Sequence, residues 1–105
     1  MMKMNDYIPL GSVVYLKGGV QKVLLIARAI NVRKGNKVFF FDYGGVPYPE
    51  GLISDRAAYF NKEDIVKVVF MGYHDEDDDM AVESIKRYLA DHPETVRGNA
   101  AAFAD

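Results

Sequence analysis

Five consecutive acidic residues precede Met80 and form the densest set of possible metal ligands in the chain. Asp75, Asp77 and Asp79 have the alternate spacing that opens a helix–loop–helix calcium loop. That loop also requires a glycine at its sixth position and a bidentate glutamate at its twelfth, where this chain has Met80 and Lys86. We therefore expect a solvated acidic approach to a helix N-terminus, with adventitious binding of divalent ions as the alternative.

The other residue types that support catalysis or metal binding are isolated in sequence. His74 and His92 have no third ligand at a suitable spacing, so we expect each to be a surface or partly packed histidine. Ser12 and Ser54 lack the flanking glycines of a nucleophile elbow. The chain has no cysteine, which excludes a thiol nucleophile, a disulfide framework and a cysteine-ligated metal site.

The remaining chemical possibilities are phosphate binding and carboxylate-based hydrolysis. Gly18-Gly19 and Gly44-Gly45 lack the strand–Gly-x-Gly-x-x-Gly–helix context of a phosphate loop, and we interpret both pairs as turn glycines. Hydrolysis needs two carboxylates that converge, and a small strand-rich domain has little room for a deep pocket. The acidic candidates are Asp42, Glu50, Asp55, Glu63 and Asp64. We predict no enzymatic activity, no catalytic residue, no cofactor and no bound metal; a hydrolase is an alternative.

Length and charge limit the class of protein further. The 105 residues suit one domain, which we predict to span 1–105. The net charge of −2 combines +4 through Gly72 (ten Lys/Arg, six Asp/Glu) with −6 after it (three Lys/Arg, nine Asp/Glu). Pro9 and Gly11 interrupt the first hydrophobic stretch, which is not the pattern of a signal peptide. No apolar run approaches the ~20 residues that span a bilayer. We expect a soluble, cytoplasmic protein without membrane insertion.

The mildly basic body raises the alternative of a small nucleic-acid-binding barrel. Basic strands that carry exposed aromatic rings bind RNA in such folds. The residues concerned are Lys17, Lys22, Arg28, Arg33, Lys34 and Lys37, beside Tyr15, Phe39 and Tyr43. We do not favour nucleic acid as the partner, because a pI near 5.6 opposes attraction to phosphates.

The elements that position these residues are mainly β-strands. Apolar, β-branched and aromatic runs bounded by Gly and Pro predict strands over residues 11–16, 20–32, 37–43 and 65–73. Residues 46–59 predict a turn-rich connection with at most a short edge strand, and Asn61 to Asp64 a single helical turn. An apolar stripe at helical spacing predicts an α-helix over residues 79–92, which Pro93 stops.

These elements predict a mainly β domain. We expect an SH3-like curled antiparallel sheet or barrel with a C-terminal α-helix, since closure of the sheet hides the edges of apolar strands. A plain antiparallel sheet with the helix packed on one face is the alternative. Residues 8–73 form the predicted β core, and residues 94–105 a short helix or a tail.

Several segments have a familiar order: Ile8-Pro-Leu-Gly-Ser-Val-Val-Tyr-Leu-Lys-Gly-Gly19, Phe41-Asp-Tyr-Gly-Gly-Val46, Tyr48-Pro-Glu-Gly51, Phe60-Asn-Lys-Glu-Asp-Ile65 and Val69-Phe-Met-Gly-Tyr73. Together they resemble an uncharacterised small-domain family of Gram-positive bacteria, with the pattern LPIGSVV, YDY, YPEG, EDI and GY. Members are similar in context to accessory proteins encoded beside type VII (ESX-like) secretion genes and LXG toxin genes. The resemblance implies a cytoplasmic adaptor that engages an LXG-type secreted effector, and it implies no enzymatic activity.

The loop after the third predicted strand is the expected partner-binding site. It displays Tyr48, Pro49, Leu52 and Ile53 on a segment with little regular structure, and loops on a rigid sheet often carry recognition. The alternative is that these residues plug one end of the barrel. An exposed strand edge that recruits a partner strand is a second possible binding surface.

Overall fold

The computed structural model describes residues 7–100, which form a curled antiparallel sheet with one long helix. The five strands are β1 (Val13–Leu16), β2 (Lys22–Lys34), β3 (Lys37–Tyr48), β4 (Ala58–Phe60) and β5 (Ile65–Phe70). A one-turn 3-10 helix, Lys62–Asp64, separates β4 from β5, and helix α1 spans Glu76–Asp91. The mainly β, SH3-like architecture with a C-terminal helix is confirmed.

The sheet order is β4-β3-β2-β1-β5, so β4 and β5 form its two edges. The long β2–β3 hairpin turns tightly at Gly35 and Asn36, where Gly35 has a φ of 65°. The register of this hairpin shifts by one residue between Leu25 and Ala27, which is a β-bulge. A bulge increases the local twist and so helps the sheet to curl over its own core.

Strands β1 and β2 differ from their predicted bounds by two residues at an end, and the ends of β3 and β5 differ by more. The interpretation of Gly44-Gly45 as turn glycines that end the third strand is wrong, because β3 continues through them to Tyr48. Glycine is required at position 45 because a Cβ there would lie 2.5 Å from a methyl group of Val23. The last strand ends at Phe70 rather than residue 73, and the Gly72 N–H donates instead to Ser12 Oγ at 2.9 Å.

Helix α1 begins at Glu76, three residues before the predicted start at 79. The Asp75 side chain caps it by accepting a hydrogen bond from the Asp78 N–H at 3.1 Å. The acidic run therefore belongs mostly to the first helical turn. Of the predicted apolar stripe, Val82 is buried and Ile85 is half-buried against the core, whereas Tyr88 is 40% exposed.

The hydrophobic core joins the sheet to the N-terminal segment and to α1. Tyr7 and Tyr43 meet edge to face with ring centroids 5.6 Å apart, and the Ile8 N–H donates to the Tyr43 hydroxyl at 3.0 Å. The buried cluster consists of Tyr7, Val14, Val23, Leu25, Tyr43, Phe60 and Val82. The predicted C-terminal segment 94–105 lies partly outside the described residues. Its described part contains no long helix and includes a parallel bridge from Arg97 to Phe40 in β3.

Candidate protein-binding surfaces

The end of β3 and the β3–β4 loop carry the four residues expected to bind a partner. Tyr48 ends β3, Pro49 follows it through a cis peptide bond, and both are exposed. Leu52 and Ile53 are 56% and 54% exposed. Side chains that plugged one end of the barrel would be buried, and these are not.

Two turns hold this loop in shape. The Gly51 N–H donates to the Pro47 carbonyl at 2.7 Å, and a reverse turn from Ile53 to Arg56 passes through Ser54 and Asp55 at φ values of 57° and 60°. Such left-handed residues are typical of tight turns between antiparallel segments.

The loop is also anchored to the β1–β2 connection. The Gln21 side-chain amide donates to the Tyr48 carbonyl at 2.7 Å, and Lys22 Nζ lies 6.0 Å from the centre of the Tyr48 ring. The exposed apolar side chains therefore project from a loop whose conformation is fixed by hydrogen bonds.

The outer edge of β5 is a second exposed surface. Within residues 7–100, β5 pairs only with β1, so one side of its backbone has no strand partner. Its exposed apolar side chains include Phe70, which is 60% exposed, and the neighbouring segment adds Met71 and Tyr73. The full apolar set, called here the β5 edge, is Val66, Val68, Val69, Phe70, Met71 and Tyr73. An exposed strand edge was expected as a second binding surface without its strand being specified, although the lack of polar alternation after Lys67 was a usable signal.

A buried polar cluster lies on the other half of the sheet, around Asp42. The Tyr7 hydroxyl donates to Asp42 Oδ1 at 2.7 Å, and the Lys62 N–H donates to Oδ2 at 2.9 Å. Arg97 forms an ion pair with the same carboxylate. The Asp42 N–H donates in turn to Asn61 Oδ1 at 3.0 Å. These contacts form one hydrogen-bond network that joins the N-terminal segment, β3, the one-turn helix and the C-terminal segment.

The environment of Asp42 holds the neighbouring tyrosines neutral. Burial raises the pKa of Tyr7 far above its ordinary value, and the hydrogen bond to Asp42 raises it further. Burial likewise raises the pKa of Tyr43 to about 12. Tyr7 is therefore a hydrogen-bond donor to Asp42 at neutral pH.

Of the four other carboxylates considered for hydrolysis, two lie near Asp42 and two lie elsewhere. Glu63 and Asp64 lie beside Asp42, where Glu63 contacts Arg97 at 3.3 Å and Asp64 accepts from the Asn61 N–H at 2.9 Å. Glu50 lies near Gln21, and Asp55 lies in the exposed turn of the β3–β4 loop. The structure thus brings three of the five together and gives each of those three a partner within the protein.

The acidic start of α1 engages the sheet and a histidine. Asp78 forms an ion pair with Arg28 of β2 at 2.8 Å, and His74 Nε2 lies 2.6 Å from Asp79 Oδ1. The hydrogen bond to Asp79 raises the pKa of His74. Between residues 7 and 100, no three His, Asp or Glu side chains are grouped closely enough to hold a metal ion together. The expectation of a wholly solvated acidic run is wrong at Asp78, whose side chain is nearly buried.

Two residues of the alternative basic surface for nucleic acid are engaged within the fold. Arg28 is paired with Asp78, and Tyr43 is in the core. Lys17, Arg33 and Lys37 are exposed in the turns and hairpin ends of the sheet. Neither helix in the described part of the chain has the length and apolar character needed to cross a bilayer.

The fold and the two exposed surfaces define a small SH3-like domain with an added helix and a docked C-terminal segment. The sequence model of one protein family, the domain of unknown function DUF4176, matches residues 7–81. The chain belongs to this family. The match covers the sheet and the start of α1 and ends before Arg97. No curated protein and no solved structure matches the chain.

Proposed function

We propose that this protein is a non-enzymatic binding module that acts as a cytoplasmic adaptor for a secreted effector. The observation that carries the proposal is the open, apolar β5 edge. An adaptor needs a surface that a partner completes, and this edge combines unpaired backbone groups with exposed apolar side chains.

The backbone part of this surface favours a strand-like ligand. An edge strand presents a row of N–H and C=O groups on its open side, and an extended segment can add to the sheet by pairing with them. Natural proteins usually block such edges with charges, prolines or covering loops. The only charged side chain in β5 is Lys67.

The side-chain part of the surface supplies hydrophobic contact. Phe70 and Tyr73 are large aromatic groups, and Val66 and Val68 extend the apolar strip along the strand. Aromatic residues are enriched among those that contribute most to binding energy at interfaces. Apolar residues placed in this way support recognition of an apolar extended segment.

The β3–β4 loop is the second proposed contact surface. Tyr48, Pro49, Leu52 and Ile53 are exposed on a loop fixed by its own turns. A rigid loop loses little conformational entropy when it binds, so it favours affinity.

The identity of the partner is proposed from the motif resemblance. The Gly-Ser-Val-Val, Tyr-Pro-Glu-Gly and Glu-Asp-Ile segments resemble accessory proteins encoded near type VII secretion genes in Gram-positive bacteria. We propose an LXG-type effector as the partner, engaged before export.

Co-expression with an LXG protein encoded by a neighbouring gene tests this function. We expect the two proteins to co-elute in size-exclusion chromatography at micromolar concentration. The substitution Phe70→Lys should reduce co-elution, because it places a charge in the apolar strip that contacts the partner. Phe70 is 60% exposed, so the free protein should still fold. Leu52→Lys tests the loop in the same way.

Val20→Lys is the matched control, since Val20 is almost fully exposed in the β1–β2 connection. Separate elution of the wild-type proteins would remove the adaptor proposal. Equal co-elution of the Phe70 and Val20 variants would remove the β5 edge as the binding surface.

A further inference from the structure

The C-terminal segment 96–98 lies against β3 as an added strand. The Phe40 N–H donates to the Val96 carbonyl at 2.8 Å, and the Gly98 N–H donates to the Phe40 carbonyl at 2.8 Å. This parallel bridge occupies a part of β3 beyond the three residues, Tyr43 to Gly45, that pair with β4. The contact has the main-chain pattern by which sheet edges bind extended peptides.

The Arg97 side chain enters a site made of carboxylates. Its guanidinium pairs with Asp42, whose side chain is 5% exposed, and contacts Glu63 at 3.3 Å. Charge-assisted hydrogen bonds of this kind are stronger than neutral ones, and arginine suits them through its planar array of donors. Both contacts are made by the Arg97 Nη2 atom, so the position selects a long cationic side chain.

The next position selects glycine. A Cβ on Gly98 would lie 2.2 Å from Cζ of Phe41, a residue that is fully buried. The Asn61 side-chain amide donates to the Gly98 carbonyl at 2.8 Å. A larger residue would have to displace the Phe41 ring, so the site favours a cationic residue followed by glycine, as in the Arg97-Gly98 pair.

The receptor side of this site is built without the segment that occupies it. Asp42 accepts from Tyr7 and from the Lys62 N–H, and Asn61 is held by the Asp42 N–H and by Asp64. All of these groups precede β5 in the chain. If residues 96–98 left, the Asp42 carboxylate would still accept hydrogen bonds from the Tyr7 hydroxyl and the Lys62 N–H.

Apart from the packing of Gly98 on the Phe41 ring, the occupant is held by polar contacts. Val96 and the Arg97 side chain are about half exposed, whereas Gly98 is buried and the neighbouring Ala100 packs against the core. Segments with little buried apolar area open at a lower free-energy cost than the core.

We propose that β3 around Phe40, with Asp42, Asn61 and Glu63, is a peptide-recognition groove for extended Arg-Gly segments. In the free protein the chain's own residues 96–98 fill the groove, and an Arg-Gly segment of a partner protein takes the same place by displacing them. The groove is distinct from the β5 edge, and the proposal does not depend on the adaptor function.

A full-length double variant, Arg97→Ala with Gly98→Val, tests the groove, because both changes oppose docking of the tail. The probe is a fluorescein-labelled peptide with the sequence Glu-Thr-Val-Arg-Gly-Asn-Ala, and the measurement is fluorescence anisotropy. We expect saturable binding to the folded double variant and binding at least about tenfold weaker to the wild type, whose groove is filled.

Two control peptides test specificity. Replacing the arginine by alanine, or the glycine by alanine, should each weaken binding by about tenfold or more. Absence of binding to a folded double variant up to about 1 mM peptide would overturn the proposal, as would equal binding of the three peptides. Far-UV circular dichroism and a cooperative thermal transition establish that the variant is folded.

Hydrogen exchange of the wild type gives a second test that needs no variant. The amides of Phe40 and Gly98 should exchange at least about tenfold faster than the Leu25 amide, which bonds to Ser12 inside the sheet at 2.9 Å. Equal exchange of the three amides would show that the segment leaves only on global unfolding, and the proposal would then be wrong.

Discussion

The Arg28 guanidinium and the Asp78 carboxylate lie 2.8 Å apart with only 8% and 12% of their side chains exposed, and they join strand β2 to the first turn of helix α1. Arg28 also donates to the Ile8 carbonyl at 3.3 Å, so the same side chain holds the N-terminal segment. The acidic run is therefore part of the mechanism that docks the helix on the sheet.

Asp78→Ala should destabilise the protein strongly. Removal of the carboxylate leaves the buried guanidinium of Arg28 without its charge partner, a change that costs roughly 3–5 kcal/mol in the free energy of unfolding. Urea denaturation followed by circular dichroism measures the loss.

Asp77→Ala is the control for this prediction, because Asp77 is an exposed residue of the same helical turn. It should cost less than about 1 kcal/mol, through its interaction with the helix dipole alone. Similar losses for the two variants would contradict a specific role for the Arg28–Asp78 pair.

Gly45→Ala should also destabilise the fold. The new Cβ would lie 2.5 Å from Val23 Cγ1 and 3.0 Å from the Leu24 carbonyl oxygen, so β2 and β3 would have to separate locally. Overpacking of this kind costs about 1–3 kcal/mol. Thermal unfolding of Gly19→Ala provides the comparison, since the nearest atom to a Cβ at Gly19 is the Leu16 oxygen at 3.4 Å. A melting temperature that falls equally in both variants would argue against close strand approach at Gly45.

Tyr7→Phe tests the buried polar cluster. The variant keeps the ring in the core but removes the hydroxyl that donates to Asp42 at 2.7 Å. Loss of a hydrogen bond to a charged group costs roughly 1.5–3 kcal/mol at neutral pH. Tyr73→Phe, which alters a largely exposed ring, should leave the free energy of unfolding nearly unchanged.

The same variant should change the alkaline limb of the stability curve. Burial raises the pKa of Tyr7 in the folded protein above that of the unfolded chain, so its contribution is complete below about pH 10 and is lost as pH rises above that value. The stability difference between wild type and Tyr7→Phe should accordingly shrink in alkaline solution. A difference that grows with pH would contradict this assignment.

His74 should titrate above the ordinary histidine value. Its hydrogen bond to Asp79 raises its pKa first, and the charges of Asp79, Asp78 and Asp75 raise it further. The stabilisation from this contact is complete below about pH 6.5 and is lost as pH rises through the folded pKa. An NMR titration of the ring protons should show a lower pKa in Asp79→Asn. An unchanged value in that variant would exclude the 2.6 Å contact in solution.

Much of the fold follows from local sequence. Apolar, β-branched runs identify the strands because such side chains suit a pleated, half-buried surface. Asn61 followed by Glu63 and Asp64 identifies the one-turn helix, in which the Asp64 carboxylate accepts the Asn61 N–H. The apolar stripe around Val82 and Ile85 identifies α1 and the face that docks on the core.

The candidate surfaces were only partly predictable. Tyr48, Pro49, Leu52 and Ile53 were identified from loop composition, and the structure leaves them exposed. A strand edge was anticipated as a binding surface, but which edge stays open depends on the pairing order of the whole sheet. That order is a non-local property, so the pattern of β5 alone does not specify it.

What the sequence by itself determined about this protein is its class: a small β-rich domain with one acid-led helix, turn chemistry between the strands and no cysteine. Tertiary structure alone decided the roles of Gly45, Asp78 and Arg97. Each has a local pattern that suggests a turn, a solvated acid or an unstructured tail. The physical reason is that each acts through a partner distant in the chain: Val23 for Gly45, Arg28 for Asp78 and Asp42 for Arg97. The curled sheet brings those partners into contact.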